Sequence, residues 1–180
     1  MKFERMFSPI QIGAMTVKNR LAVPPMLTEF AAEDGSLTER YIRYYEEKAK
    51  GGFGLIITED NVVEPRGAGF KRIAGLWSDE LVQAHRELTR RVQQHGAKIA
   101  VQVYHAGRET ESGITGMRPV APSAIQDPTK PETPHELTIA EIQELVEKFA
   151  QAIRRCQEAG YDAIELHGAH RRLFSVCEGD

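Results

Sequence analysis

Cysteine is scarce in this chain: Cys156 and Cys177 are the two thiols in 180 residues. Neither has the paired spacing of a disulfide framework or a zinc site, so both read as free thiols. Long apolar runs are missing too. Nothing approaches the ~20 consecutive apolar residues of a membrane span, and Met1-Lys2-Phe3-Glu4-Arg5 is charged where a signal peptide needs an apolar core. A cytoplasmic location with no membrane partner is expected. Positive charge is not in excess, and a formal net charge of -3 leaves no basic footprint for a phosphate backbone. Nucleic acid is therefore not an expected partner. No Gly-x-Gly-x-x-Gly follows a strand, and no Walker-type loop or nucleophile elbow occurs.

What is present is the composition of a globular domain, 41% hydrophobic and 27% charged. Three times an amphipathic helix runs through a glycine into a short apolar strand, the join expected of alternating helices and parallel strands. The joins are Gly51-Gly52-Phe53-Gly54 into Leu55-Ile56-Ile57, Gly96-Ala97-Lys98 into Ile99-Ala100-Val101, and Gly160-Tyr161-Asp162 into Ala163-Ile164-Glu165-Leu166. Arg20-Leu21-Ala22-Val23 supplies an earlier strand. Thr38 opens the first helix, whose Tyr41, Tyr44, Tyr45 and Lys48 recur at helical spacing and read as core packing. Ser78 and Asp79 cap the second, with Leu81, Val82, His85, Leu88 and Val92 on one side and Gly96 at its end. The third starts at the capping box Thr138-Ile139-Ala140-Glu141, with Ile142, Leu145, Val146, Phe149, Ile153 and Cys156 as its expected buried stripe. The order is four strands separated by three helices, half of a barrel or part of an open parallel sheet. A long connection, 106–137, follows the third strand, at the end where barrels carry active-site loops.

Each strand changes from apolar to polar at its carboxyl end: Pro24-Pro25-Met26-Leu27-Thr28, Thr58-Glu59-Asp60, Gln102-Val103-Tyr104-His105 and His167-Gly168-Ala169-His170. Gln102 interrupts the apolar run 99–103, and alternation turns it away from Val101 and Val103, into the barrel if those two pack on helices. A buried amide needs partners. Another side chain is one solution; a ring edge with both a donor and an acceptor, such as a flavin pyrimidine, is the other. His167 and His170 read in three ways: a structural surface pair, metal ligands short of a third partner, or donors converging on one carbonyl oxygen. Met26 alone reads as core filling, and His105 as a satisfied core or loop histidine.

At these residues the sequence resembles the NADH:flavin oxidoreductase/Old Yellow Enzyme family, including relatives of 2,4-dienoyl-CoA reductase. The matching stretches are Leu-Ala-Val-Pro-Pro-Met at 21–26, Gly-Leu-Ile-Ile-Thr-Glu at 54–59 and Gly-Leu-Trp-Ser-Asp-Glu at 75–80. Gln-Val-Tyr-His-Ala-Gly-Arg at 102–108, Ala-Pro-Ser-Ala at 121–124 and Ala-Gly-Tyr-Asp-Ala-Ile-Glu-Leu-His-Gly-Ala-His at 159–170 continue it. The resemblance implies the first four strands and three helices of a (β/α)8 TIM barrel, with residues 1–170 as the N-terminal half of an FMN-binding domain. It further implies reduction by NADH or NADPH and reoxidation by an alkene conjugated to a carbonyl, an enone or a dienoyl thioester. Pro24, Pro25, Met26 and Leu27 match the backbone lying along the flavin, Asp60 a further FMN contact, and Gln102 the glutamine at the flavin pyrimidine. His167 and His170 match the pair that grips the substrate carbonyl.

The departures are specific. Leu27 stands where many relatives have Cys or Thr, and Glu29 where some have a substrate-binding tyrosine. Arg171-Arg172-Leu173 replaces the Gly-Tyr-Leu that carries a proton-donating tyrosine, so 171–180 reads as a divergent tail. The family's second half-barrel, with a flavin-contacting arginine and the phosphate loops, is not matched. The expectation is a truncated or frame-disrupted product with impaired activity. The alternatives are an inactive half-barrel that self-associates through exposed edges or pairs with a complementary chain, and a metal-dependent hydrolase using the two histidines.

Overall fold

The computed structural model describes residues 3–170, 173 and 174. A short helix, α1 (Glu4–Phe7), leads into an antiparallel hairpin of β1 (Ile10–Ile12) and β2 (Met15–Val17). The main sheet then builds in chain order from β3 (Ala22–Val23), β4 (Leu55–Val62), β6 (Lys98–Tyr104) and β9 (Ala163–Leu166), each parallel to the one before. A two-residue strand, β5 (Ala74–Gly75), adds to the far end of β4. Helices α2 (Glu39–Lys50), α3 (Val82–Gln93) and α5 (Ile139–Ala159) connect the strands. This is an α/β partial barrel that does not close.

Local signals set the joins. Thr38 caps α2 by accepting from the Tyr41 N–H, and Thr138 and Glu141 form the full capping box at α5. Gly160 ends α5 in the left-handed region, φ 85°. Two residues later the Asp162 carboxylate accepts from the Ile99 N–H at 3.0 Å and pairs with Lys98 at 2.7 Å, fixing β9 beside β6. The expected Ser78 cap is not made: a 3-10 turn, Asp79–Leu81, precedes α3, and no side-chain cap bond reaches its backbone. The expected second strand is longer than its apolar run, since β4 continues through Thr58, Glu59 and Asp60 with a register shift between Ile57 and Asp60.

The helices cover one face of the sheet. Tyr41, Tyr45, Leu88 and Val92 pack on Ile56 and Ile99, while Leu145, Phe149 and Cys156 pack on Val101 and Val103. Each large side chain buried there contributes about 1.5–3 kcal/mol of apolar transfer. Cys156 is a buried free thiol whose burial pushes its pKa up to about 12; Cys177 lies outside the described residues. The expected stripe of α5 is too broad. Leu145, Phe149, Ala152 and Cys156 are buried, but Val146 is 64% exposed and Ile142 lies open beside it. Helical periodicity groups these residues, yet only the part facing β6 is covered. Leu173 and Phe174 pack beside them, Phe174 with its ring 5.2 Å from Phe149. The other residues of the stretch 171–180, expected to be a divergent tail, lie outside the described residues.

The connection 106–137 is not structureless. It holds a 3-10 turn, α4 (Ser112–Thr115) and the parallel pair β7 (Val120–Ala121) and β8 (His135–Glu136). No helix among the described residues is long and apolar enough to cross a membrane.

Candidate active site

Because Val101 and Val103 face α5, Gln102 faces the other side of the sheet, as alternation requires. Register then aligns polar neighbours: Asp60 of β4 is opposite Gln102 of β6, which is opposite Glu165 of β9. These three line a cleft of about 450 Å³ at the carboxyl ends of the strands, together with Pro25, Leu27 and the turn carrying His167 and His170. That volume lies within the ~300–1,000 Å³ of small-molecule sites.

Six of the eight residues singled out from the sequence line this cleft: Pro25, Leu27, Asp60, Gln102, His167 and His170. Pro24 and Met26 do not. Met26 is 56% exposed, so the core-filling reading of it is wrong: it sits on an open segment after β3. The sequence reading missed Glu165. It interrupts Ala163-Ile164-Glu165-Leu166 as Gln102 interrupts its own strand, and that same signal was legible. The Gln102 Nε2 donates to Glu165 Oε2 at 2.6 Å.

The histidines are not a surface pair. His167 is buried and stacks on Tyr104 with centroids 5.7 Å apart. His170 is exposed, is held at φ 56°, and brings Nδ1 within 3.4 Å of His167 Nε2. Asp60 Oδ1 lies 3.9 Å from His167 Nε2, a pairing that carries charge only when the imidazole is protonated.

Two buried acids, Glu59 and Glu64, lie at the carboxyl end of β4. Burial pushes Glu59 up to about 7, against the lowering effect of the Thr28 N–H and hydroxyl, both of which donate to its carboxylate. Burial acts the same way on Glu64, but hydrogen bonds from His105 and Lys148 outweigh it and hold the carboxyl at about 2. His105 donates from Nε2 to Glu64 at 3.0 Å and accepts at Nδ1 from the Gly107 N–H, a satisfied core histidine as the sequence suggested.

The residues fit a planar ring with a polar edge. An open, mostly apolar segment over 24–27 lies beside a row of amide and carboxylate groups, and two imidazoles stand at the rim.

Comparison with known proteins places this geometry. Residues 5–175 match the model of the NADH:flavin oxidoreductase / NADH oxidase family. The NADH oxidase of Thermoanaerobacter brockii is 45% identical over 174 residues, covering 96% of this chain and 27% of the relative. The NADPH dehydrogenase of Geobacillus sp. (strain WCH70) is 43% identical, covering 94% of this chain and 49% of the relative. Among solved structures, the Old Yellow Enzyme homologue from Zymomonas mobilis superposes with a TM-score of 0.84 at 34% identity, covering 93% of this chain and 49% of that one. The chain thus spans about half the length of that dehydrogenase and less of the oxidase. The match implies FMN as the flavin and NADH or NADPH as its reductant. By its sequence and by its fold, the chain belongs to the NADH:flavin oxidoreductase / NADH oxidase family.

Proposed function

We propose that this chain is the flavin-binding half of an ene-reductase-type oxidoreductase, taking FMN in the cleft at the strand ends for NAD(P)H-driven reduction of an alkene conjugated to a carbonyl. The single observation that carries the reading is one cleft lined by Gln102, by Pro25 and Leu27, and by the pair His167 and His170. When bound, the flavin supplies hydride chemistry; the protein supplies placement and electrostatics. Pro25 and Leu27 give the ring an apolar bed, with Pro24 and Met26 along the same segment. Gln102 reads its polar edge, and Asp60 sits one strand over. His167 and His170 donate to the carbonyl oxygen of an enone or dienoyl thioester, stabilising the negative charge that grows there. Stacking on Tyr104 fixes the His167 ring for that task. Because the described strands leave the barrel unclosed, turnover by this chain alone is expected to be weak.

The test is retention of flavin. Purified chain mixed with FMN and desalted should keep flavin absorbance near one equivalent, and His167→Ala should retain flavin while losing affinity for carbonyl ligands. A colourless protein after desalting refutes the reading.

A second reading has its own support. Among the described residues β3 and β9 each pair on one side only, and Ile139 and Val146 of α5 are 72% and 64% exposed. Open strand edges and an apolar helix face favour association. On this reading the chain is an inactive half-barrel that self-associates or joins a complementary chain. A monodisperse monomer in sedimentation would refute it.

A further inference from the structure

Gln102 is an amide, and an amide at a binding site is ambiguous, because its two ends differ in hydrogen bonding but hardly in shape. What resolves the ambiguity is the neighbour across the sheet. Glu165 lies directly opposite Gln102 in the β6–β9 register, on the same face, and its Oε2 accepts from Gln102 Nε2 at 2.6 Å. An ionised carboxylate has no proton to give. The opposite amide orientation would set Oε1 against a carboxylate oxygen, trading a charge-assisted hydrogen bond for repulsion between two acceptors.

We propose that Glu165 is a positioning residue that locks the Gln102 amide in one orientation, so that the cleft selects a ligand edge in which an N–H stands beside a carbonyl. One of the two Nε2 protons is committed to Glu165. The second, together with Oε1, forms a donor and an acceptor side by side, complementary to a cyclic imide. The inference rests on the flavin reading of the cleft, since the pyrimidine ring of a flavin offers such an edge, and it deepens that reading by naming what holds the reader in place. Glu165 lines the same cleft, and in this scheme it acts on the ligand through Gln102.

The inference is testable with and without flavin. In the flavin-free chain, side-chain amide NMR of Gln102 should show one Nε2 proton shifted downfield, and Glu165→Ala should abolish that shift. In titrations, Glu165→Ala should weaken FMN binding about tenfold, the low end for a charge-assisted hydrogen bond. The same variant should cost clearly less in the binding of an FMN analogue methylated at N3, which has no imide N–H, than in the binding of FMN. Glu165→Gln keeps an acceptor and should recover most of the FMN affinity, and in a Gln102→Ala background Glu165→Ala should cost nothing more. Gln102 amide resonances that ignore Glu165→Ala would overturn the proposal, as would equal losses for FMN and the methylated analogue. If the amide responds but neither flavin binds, the imide ligand and the flavin reading fall together while the fixed amide stands.

Discussion

The Glu59 carboxylate accepts both the backbone N–H and the hydroxyl of Thr28, so a buried acid in β4 clamps the segment that leaves β3. Thr28 follows Pro25 and Leu27, which line the cleft, and the Glu59 N–H in turn donates to the Tyr45 hydroxyl at 2.8 Å. The segment is thereby tied through β4 to the core of α2.

Burial of this carboxyl makes stability depend on pH. Burial, the largest influence, raises Glu59 from 4.5 to about 7 in the fold. Between those values the folded chain holds a proton that the unfolded chain has released, so stability falls as pH rises. The contribution is complete below 4.5 and lost by the time pH passes 7, on the order of 3 kcal/mol in all. Thermal melts from pH 5 to pH 8 should fall for the native chain, and the fall should be smaller in Glu59→Gln, which cannot ionise. Equal slopes in the two proteins would remove Glu59 as the cause.

The hydrogen-bonded group Lys148–Glu64–His105 should behave in the opposite sense. Its carboxyl is held at about 2 although burial works against it, so its contribution is present above 4.5 and is lost as pH falls toward 2. Glu64→Ala should cost about 3 kcal/mol in denaturant unfolding, because it strips a buried histidine of its acceptor. Lys148→Met should cost about 1 kcal/mol or less, since the lysine is 44% exposed and screened. Similar losses from the two variants would contradict this division.

Gly67 is a site of close approach. A Cβ there would lie 2.6 Å from the His105 ring, which is hydrogen-bonded at both nitrogens and has no room to retreat. Gly67→Ala should therefore destabilise the chain by about 1–3 kcal/mol through overpacking. Its melting temperature measured beside that of Gly113→Ala, where a Cβ meets nothing within 4 Å, isolates the clash from the general effect of losing a glycine.

If turnover is measurable, His167→Ala should lower kcat/KM for an enone by about 10²–10³, the usual cost of removing an oxyanion donor. Steady-state rates of His170→Ala should fall less, because that ring is exposed and water can replace part of what it donates. Unchanged rates in both variants would exclude the carbonyl-gripping role.

Much of this arrangement was legible in the residue pattern, and the gaps have physical causes. Period-two alternation around Gln102 was enough to turn it into the barrel, because its neighbours Val101 and Val103 had to meet a helix. Glycine joins and the Thr138–Glu141 box located helix ends because those signals are local. Alternation in Ile10-Gln11-Ile12 and Met15-Thr16-Val17 announces the β1–β2 hairpin, but three-residue strands are too short to stand out. Val146 and Ile142 share a helical side with Leu145, and periodicity cannot say which flank another element covers. Glu59 was passed over for Asp60 because a strand continuing through polar residues looks like a strand ending. The Gln102–Glu165 bond depends on register between strands 63 residues apart, which no local pattern encodes.

The most direct measurement is a crystal structure of this chain grown with FMN. The account predicts flavin density at the carboxyl ends of β4, β6 and β9, with the imide edge at Gln102 and with His167 and His170 at the rim of the same cleft. Flavin density elsewhere, or a flavin bound in that cleft with Gln102 out of hydrogen-bonding reach, would contradict it.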